Sequence, residues 1–433
     1  NIIFPDRKLI MNSKILASAC AAALLALPGM ASATNGYFSH GYGIKSKGMG
    51  GVGIALPQDT LAAAINPAGM VQVGNRLDAG LDWFHPVRGS EIRGNAFPDA
   101  DYDGNNKKDF FIPEFGYNRM LNEQMSLGIA AYGNGGMNSD YAVNSFDRFG
   151  GTGSSGVNLE QMFISPTFAM KLNQNHAVGV SLNLAYQRFS AKGMGPFDMT
   201  GPGQASAYPG SVTNNGTDAA TGWGVRVGWS GQITPELTLG ATYQSKTSMS
   251  KLDKYKGLFA EQGGMDIPEN YGVGMAFKAT PKLTVAADVV RINYADIKSV
   301  GNTISNMNVL GNPLGSDNGP GYGWDDMTVY KLGANYEVSK NLVVRAGYNH
   351  GQQPVPSSET FLNILSPGVV EDHVTLGATW TLSNKSEVSV SYMHAFKKTV
   401  QGSSTSIPAN YGGGSASLYM YQDSLGIAYG MKM

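Results

Sequence analysis

The chain has 433 residues, with 31 Lys and Arg against 32 Asp and Glu and a net charge of −1. That balance, without a basic cluster, argues against a nucleic-acid partner, and beyond residue 33 there is no run of ~18 apolar residues that could form a membrane helix. Its 57 glycines are nearly twice the ~7% average share.

The first 33 residues read as an export signal. Met11 and Lys14 precede the apolar run ILASACAAALLALPGM and then Ala31-Ser32-Ala33, a charged start, an apolar core and an A-x-A cleavage site. Cleavage is expected after Ala33, with residues 1–10 an upstream extension. A lipoprotein site at Cys20 would leave too short an apolar core before it. Cys20 is the only cysteine, so the exported chain has no disulfide.

Residues 34–74 are Gly- and Ala-rich. GMGGVG at 48–53 fits the dinucleotide pattern G-x-G-x-x-G. The preceding SHGYGIKSK is no buried strand, however, and Pro57 interrupts any helix begun at Gly53. The glycines read instead as chain that turns tightly or lies close to other backbone. Asp59 or Thr60 can cap a short helix through LAAAI, which Pro67 ends by disfavouring helical geometry at Asn66.

From residue 75 the pattern changes to period two. Leu77, Ala79, Leu81 and Trp83 share one face, with Asp78 and Asp82 on the other. Leu425, Ile427, Tyr429, Met431 and Met433 repeat the arrangement at the end of the chain. Fourteen strands are expected, near 75–84, 110–118, 124–134, 158–172, 176–189, 221–231, 236–247, 269–278, 282–295, 325–338, 341–350, 372–383, 386–398 and 416–433. Every second connection is tiny, such as NQNH or VSKN, and the others are long. A soluble sandwich also alternates, but short turns alternating strictly with long loops are the layout of an outer-membrane barrel. Closing the sheet removes its edges, as a bilayer demands. The expected fold is therefore an all-β transmembrane antiparallel barrel, 75–433, with 34–74 a plug inside the lumen. A final strand with Tyr429 and an apolar last residue suits the barrel-assembly machinery.

The signal, the plug carrying Asn66-Pro67-Ala68 and about fourteen strands together resemble the FadL-type transporters of the Gram-negative outer membrane. GWDDMTVYKLGANY, NLVVRAGYNHGQQPVPSSETF and VSVSYMHAF are similar to the family's late strands. The resemblance covers essentially the whole exported chain. It implies a monomer, without cofactor or enzymatic activity, that takes up long-chain fatty acids or other hydrophobic compounds from a surrounding of outer-membrane lipid and lipopolysaccharide. It further implies ligand capture at outside loops such as 135–157 and 190–220, a shift of the plug, and lateral exit at a kink in the third strand. Gly133, Gly135 and Gly136 are the kink candidates, since glycine within a strand marks a bulge or bend. The family's basic partner for a carboxylate falls on AYQRFSAKG, which supplies Arg188 and Lys192. Its second basic position falls near the acidic Asp325, which leaves room for a neutral ligand.

Two other patterns bear on function. DADYDGNNKKD places Asp99, Asp101 and Asp103 as in the opening of a calcium loop, with Asp109 one residue short of the usual closing acid. Calcium and a plain acidic loop are the alternatives there. The six histidines form no H-x-x-x-H or H-E-x-x-H zinc motif, and no G-x-S-x-G elbow occurs. A hydrophilic-solute porin and a barrel enzyme are the rival functions; the plug speaks against the first, and nothing local supports the second.

Overall fold

The computed structural model describes residues 34–201 and 203–433. The expected signal segment, with its cleavage after Ala33, lies outside the described residues.

Fourteen long strands form the wall: β1 (Arg76–Arg93), β2 (Phe110–Met120), β3 (Met125–Asn138), β4 (Gly156–Lys171), β5 (His176–Lys192), β6 (Asp218–Gln232), β7 (Leu237–Gln244), β8 (Asn270–Thr280), β9 (Leu283–Ile292), β10 (Met327–Ser339), β11 (Leu342–Gly351), β12 (Asp372–Thr381), β13 (Ser386–Val400) and β14 (Ser415–Lys432). Each pairs antiparallel with its neighbour in sequence, and β14 closes the cylinder on β1 from Arg76↔Lys432 to Arg93↔Ser415. Two short pieces extend the sheet: Ala100–Asp103 on β1 and Ser248–Met249 on β6.

The period-two pattern located the strands but set several ends too short. β1 runs nine residues past the expected 84, because Val87–Arg93 pair with β14 although their side chains no longer alternate apolar and polar. Outward positions on β14 are Leu425, Ile427, Tyr429 and Met431, all exposed; the inward Ser424 is buried. Apolar residues on the outside and small or polar ones inside match a barrel set in lipid.

Residues 34–74 account for the inward face. They are almost wholly buried and touch strands around the cylinder. Glycines in the wall make room for them. A Cβ on Gly228 of β6 would meet Asn66 Oδ1 at 1.9 Å, and one on Gly347 of β11 would meet Gly50 N at 2.1 Å. Gly116 of β2 lies against Thr60 in the same way, and Gly333 of β10 against Met49. Within the segment, Gly51 has φ +80° and sits against His40 O. The glycine run thus serves close backbone approach, as its composition suggested.

Local structure in the segment is slight. Ile44–Lys47 makes one helical turn. Thr60–Ala64 is a 3-10 turn capped by Asp59, whose carboxylate accepts from Leu61 N. Pro67–Gly69 is a second 3-10 turn, capped by Asn66. Such short turns have little stability alone, so the wall must supply it. Carboxylates that point inward from strands do this. Glu114 accepts from Gly43 N and Ile44 N, Asp288 from Gly53 N and Ile54 N, and Asp78 from Thr60 N and Oγ1. Lys45 pairs with Glu387 at 2.5 Å and Lys47 with Asp82 at 2.8 Å, all four side chains buried. Donors that would otherwise be orphaned in the lumen are satisfied by charged acceptors, the stronger kind of hydrogen bond.

Candidate functional site

The site begins where β3 leaves its neighbour. β3 pairs with β2 from Met120↔Ser126 to Glu114↔Tyr132 and no further, while it stays paired with β4 up to Asn138↔Asn158. The register on β4 slips between Gly133 and Gly135. That slip is a bulge, which bends a strand and re-aims it. The wall between β2 and β3 therefore lacks its ladder above Tyr132. It closes again only where Asn105 bridges Asp140.

The N-terminal tail covers this interruption from inside. Gly136 N donates to Tyr37 O at 2.9 Å, and Ser39 N donates to Asn134 O at 3.2 Å. Gly135 faces the tail so closely that a Cβ would meet Tyr37 O at 1.9 Å. Gly133, Gly135 and Gly136 thus lie together at one irregularity, and the glycine cluster was its sequence signal. Sequence reasoning missed the tail's part in it, because Tyr37 and Phe38 belong to no periodic pattern.

An aromatic box grips the tail from the other side. Tyr294 stacks edge-on against Tyr37 at 5.0 Å and Phe38 at 5.8 Å, and Trp324 lies 5.7 Å from Tyr37. Tyr294 Oη donates to Asn35 O at 2.5 Å. Trp324 in turn neighbours Tyr322, which lines an apolar recess with Met194, Leu258, Phe259 and Leu365 among the outside loops. Apolar contacts thus run unbroken from those loops to the bulge.

Arg88 also escaped the sequence reading. Fully buried on β1, it reaches past the start of β2 and donates through Nε to Asn138 O at 2.9 Å and through Nη2 to Lys107 O at 2.8 Å. It ties the upper rim of the interruption. Arg88 lies in the stretch of β1 where the alternation has stopped, so no local pattern marked it.

Asn66 holds the middle of the segment. Its Nδ2 donates to Ile54 O at 2.7 Å and to Trp229 O at 2.8 Å, while its Oδ1 accepts from Ala68 N at 3.1 Å. Pro67 starts the next turn, and Ala68 is buried. Trp229 is on β6, so the Asn66 contact falls on that strand. Gly228 leaves space for the amide there.

A cavity of about 50 Å³ lies beneath the tail, lined by Phe38, Tyr42, Ile54, Arg226, Asp288 and Lys331 among others. That volume takes a water molecule or two, far below the ~300 Å³ of a ligand pocket. Its cations are engaged: Arg226 donates to Ile65 O and Gln244, and Lys331 to His40 O and Gly51 O. Arg226 Nε and Asn270 Nδ2 have no partner.

The expected carboxylate partners lie elsewhere. On β5 the inward side chains are Gln187, Phe189 and Ala191, so Arg188 and Lys192 point outward, where they pair with Glu160 at 3.4 Å and Asp140 at 2.9 Å. Strand parity is the reason: a neighbouring position on the same strand faces the other way. They line an outward cleft of about 520 Å³ together with Lys107. Asp325 donates its backbone N–H to Pro354 O.

The acidic loop does not converge on a point. Asp99 accepts from Gly94 N, Asp101 pairs with Arg93, and Asp103 accepts from Asn105 N. Asp109 takes Trp83 Nε1 and His85 Nδ1. Asp101 and Asp103 belong to the short strand beside β1, which holds them extended where a calcium loop would wrap. Among the described residues no group of three or more His, Cys, Asp and Glu side chains is placed to hold a metal.

A closed fourteen-strand barrel with an apolar outer belt, its lumen filled by the chain's own N-terminal segment, is an outer-membrane transport barrel in architecture. The family model for outer membrane protein transport proteins (OMPP1/FadL/TodX) matches residues 31–431, and the chain belongs to that family. Solved structures share the fold. The toluene transporter TodX of Pseudomonas putida aligns with a TM-score of 0.68 at 18% identity, over 91% of this chain and 99% of that one. A FadL homologue of Pseudomonas aeruginosa gives 0.67 at 16%, over 92% and 99%. The toluene transporter TbuX of Ralstonia pickettii gives 0.63 at 18%, over 91% and 99%. Comparison with curated protein sequences gives no match.

Proposed function

We propose that this protein carries small hydrophobic molecules across the outer membrane without an energy source or a chemical step. The observation that carries the reading is the pairing of the Tyr37–Ser39 tail with the β3 bulge, directly over the interrupted β2–β3 ladder. A molecule that displaces the tail would free both the cavity beneath it and the wall gap beside it. An apolar solute could then leave sideways into the lipid and avoid the polar base of the lumen.

The outside end fits such a cargo. A ligand entering the recess at Met194, Leu258, Phe259 and Leu365 would meet Tyr322 and Trp324 next, and these touch the residues that hold the tail. The N-terminal segment acts as the plug, with Asn66-Pro67-Ala68 its fixed point and the tail its moving part. Since Arg226 and Lys331 beside the cavity donate to plug carbonyls and Arg188 and Lys192 face outward, the favoured cargo is a neutral hydrocarbon, as toluene is for TodX and TbuX. Fatty acids remain the second class.

Proteoliposomes containing the protein would decide. Faster entry of a labelled monoaromatic hydrocarbon than in empty vesicles, without steady large ion conductance, supports the reading. Large steady openings and no effect on hydrocarbon entry would point to a hydrophilic-solute porin.

A further inference from the structure

One constellation on the outer surface lies apart from the plug and the β3 bulge and recurs three times. Trp83 and His85 of β1, Tyr348 and His350 of β11, and Tyr392 and His394 of β13 each read aromatic-x-His. Both side chains of each pair point outward and meet one carboxylate of an adjoining segment. Asp109 accepts from Trp83 Nε1 at 2.9 Å and lies 2.8 Å from His85 Nδ1. Asp423 accepts from Tyr392 Oη at 2.7 Å and lies 2.9 Å from His394 Nδ1. Asp372 accepts from Tyr348 Oη and lies 2.7 Å from His350 Nδ1.

The register joins the three units into one belt. His85 stands opposite Asp423, and Asp423 opposite His394. His350 stands opposite Asp372, which follows diagonally from His394 through Val374. Acid and imidazole therefore alternate along Asp109, His85, Asp423, His394, Asp372 and His350. The height of this row is set by β14. Its outward residues from Leu425 down to Met431 are apolar and exposed, and Asp423 is the next outward residue above them. With an aromatic just below each histidine, the row marks the outer membrane–water boundary.

What faces the row there is lipid headgroup. In each unit Nδ1 is directed at a carboxylate, which fixes it as the donor and leaves Nε2 pointing away from the wall. The histidine side chains are 22%, 41% and 33% exposed for His85, His350 and His394. A bare Nε2 can only accept; a protonated one donates. We propose that this belt binds the phosphate groups of outer-leaflet lipid, each imidazolium giving Nε2–H to a phosphate oxygen while its Nδ1–H stays on the aspartate.

Charge makes the binding pH-dependent. With the imidazoles neutral, the three carboxylates repel a phosphate. With them protonated, the six groups sum to zero and three charged donors face the headgroups. Of the other groups near the row, Tyr330 stands opposite His350, Val374 stands opposite His394, Glu371 and Lys398 pair with each other, and Lys108 adds a positive charge beside Asp109 that favours the phosphate further.

The test uses the full barrel in nanodiscs and the variant His85→Asn/His350→Asn/His394→Asn, whose amides can still donate to the aspartates. Retention of phosphorylated lipid A is compared with that of its dephosphorylated form at about pH 5.5 and about pH 8. Wild-type protein should retain the phosphorylated form about tenfold better at the lower pH, the scale of one charge-assisted hydrogen bond, and lose the preference at the higher. The triple variant should show no preference at either pH while keeping its heat-modifiable, folded form. An equal preference in the triple variant, its disappearance on chelating divalent cations at the lower pH, or equal displacement by inorganic phosphate would each overturn the assignment.

Discussion

Gly136 gives its backbone N–H to Tyr37 O at 2.9 Å, so the third strand is paired with the chain's own N-terminal tail just above the height where its partner β2 drops away. The bulge exposes backbone that the β2–β3 ladder no longer satisfies, and the tail satisfies part of it. Gly135 is the residue that permits this approach.

Replacement of Gly135 by Val should therefore expel the tail, because its Cβ would fall on Tyr37 O, within 1.9 Å. The barrel should still assemble, since β3 keeps its pairing with β4. Limited proteolysis should then cut near Tyr37 in the variant and not in the wild type. An intact tail in the variant would show that the bulge does not hold it.

How much of this was legible follows from what each feature depends on. Strand number came through because a two-sided wall writes period two into every strand. The register slip between Gly133 and Gly135 has a local mark in the sequence, the glycines clustered inside one strand. The direction of Arg188 and Lys192 did not come through, since one position along a strand reverses the face and motif resemblance does not resolve parity. The tail's hold on β3, and Arg88's reach to Asn138, depend on contacts between residues far apart in sequence, which leave no local period. That Asp101 and Asp103 are part of a ladder was likewise not legible, since a local spacing of acids does not announce a pairing with β1.

Asn66→Ala should loosen the plug. The amide joins Ile54 O, Trp229 O and Ala68 N, and its loss leaves these groups without their side-chain partner. The local cost should be about 1–3 kcal/mol. A heat-modifiable barrel with slower hydrocarbon uptake and a plug more open to protease is expected. Normal uptake with normal protease resistance would reduce Asn66 to a spacer.

Gly228→Val tests the same contact from the wall. The new side chain would occupy the space of Asn66 Oδ1, and overpacking of this kind costs about 1–3 kcal/mol. Strand β6 can accept valine, a good strand former, so the strain should fall on the plug. Combining Gly228→Val with Asn66→Ala should give less than the sum of the two effects, because both remove one interaction. Strict additivity in protease protection would mean that the two residues act separately.

Acid should weaken the seating of the plug through His40. Burial, then the nearby His373 ring and the charges of Lys47 and Lys331, push its imidazole well below the ordinary histidine range. The two rings lie 6.2 Å apart. The sign follows from linkage. Seated, His40 stays neutral; released to water, it takes up a proton below about pH 6.5. The released form then binds more protons, so seating strengthens as pH rises through this range and weakens as pH falls. Asp59 acts the other way: burial and the neighbouring Asp78 carboxylate raise it to about 6, so its seated form favours the proton. The two are separated by substitution. His40→Gln should remove the His40 share of the acid-side loss, so that protease protection falls less steeply as pH drops below about 6 than it does in the wild type. Wild-type and His40→Gln proteins should therefore diverge most below about pH 6. Parallel protection curves for the two would show that His40 does not titrate when the plug leaves its seat.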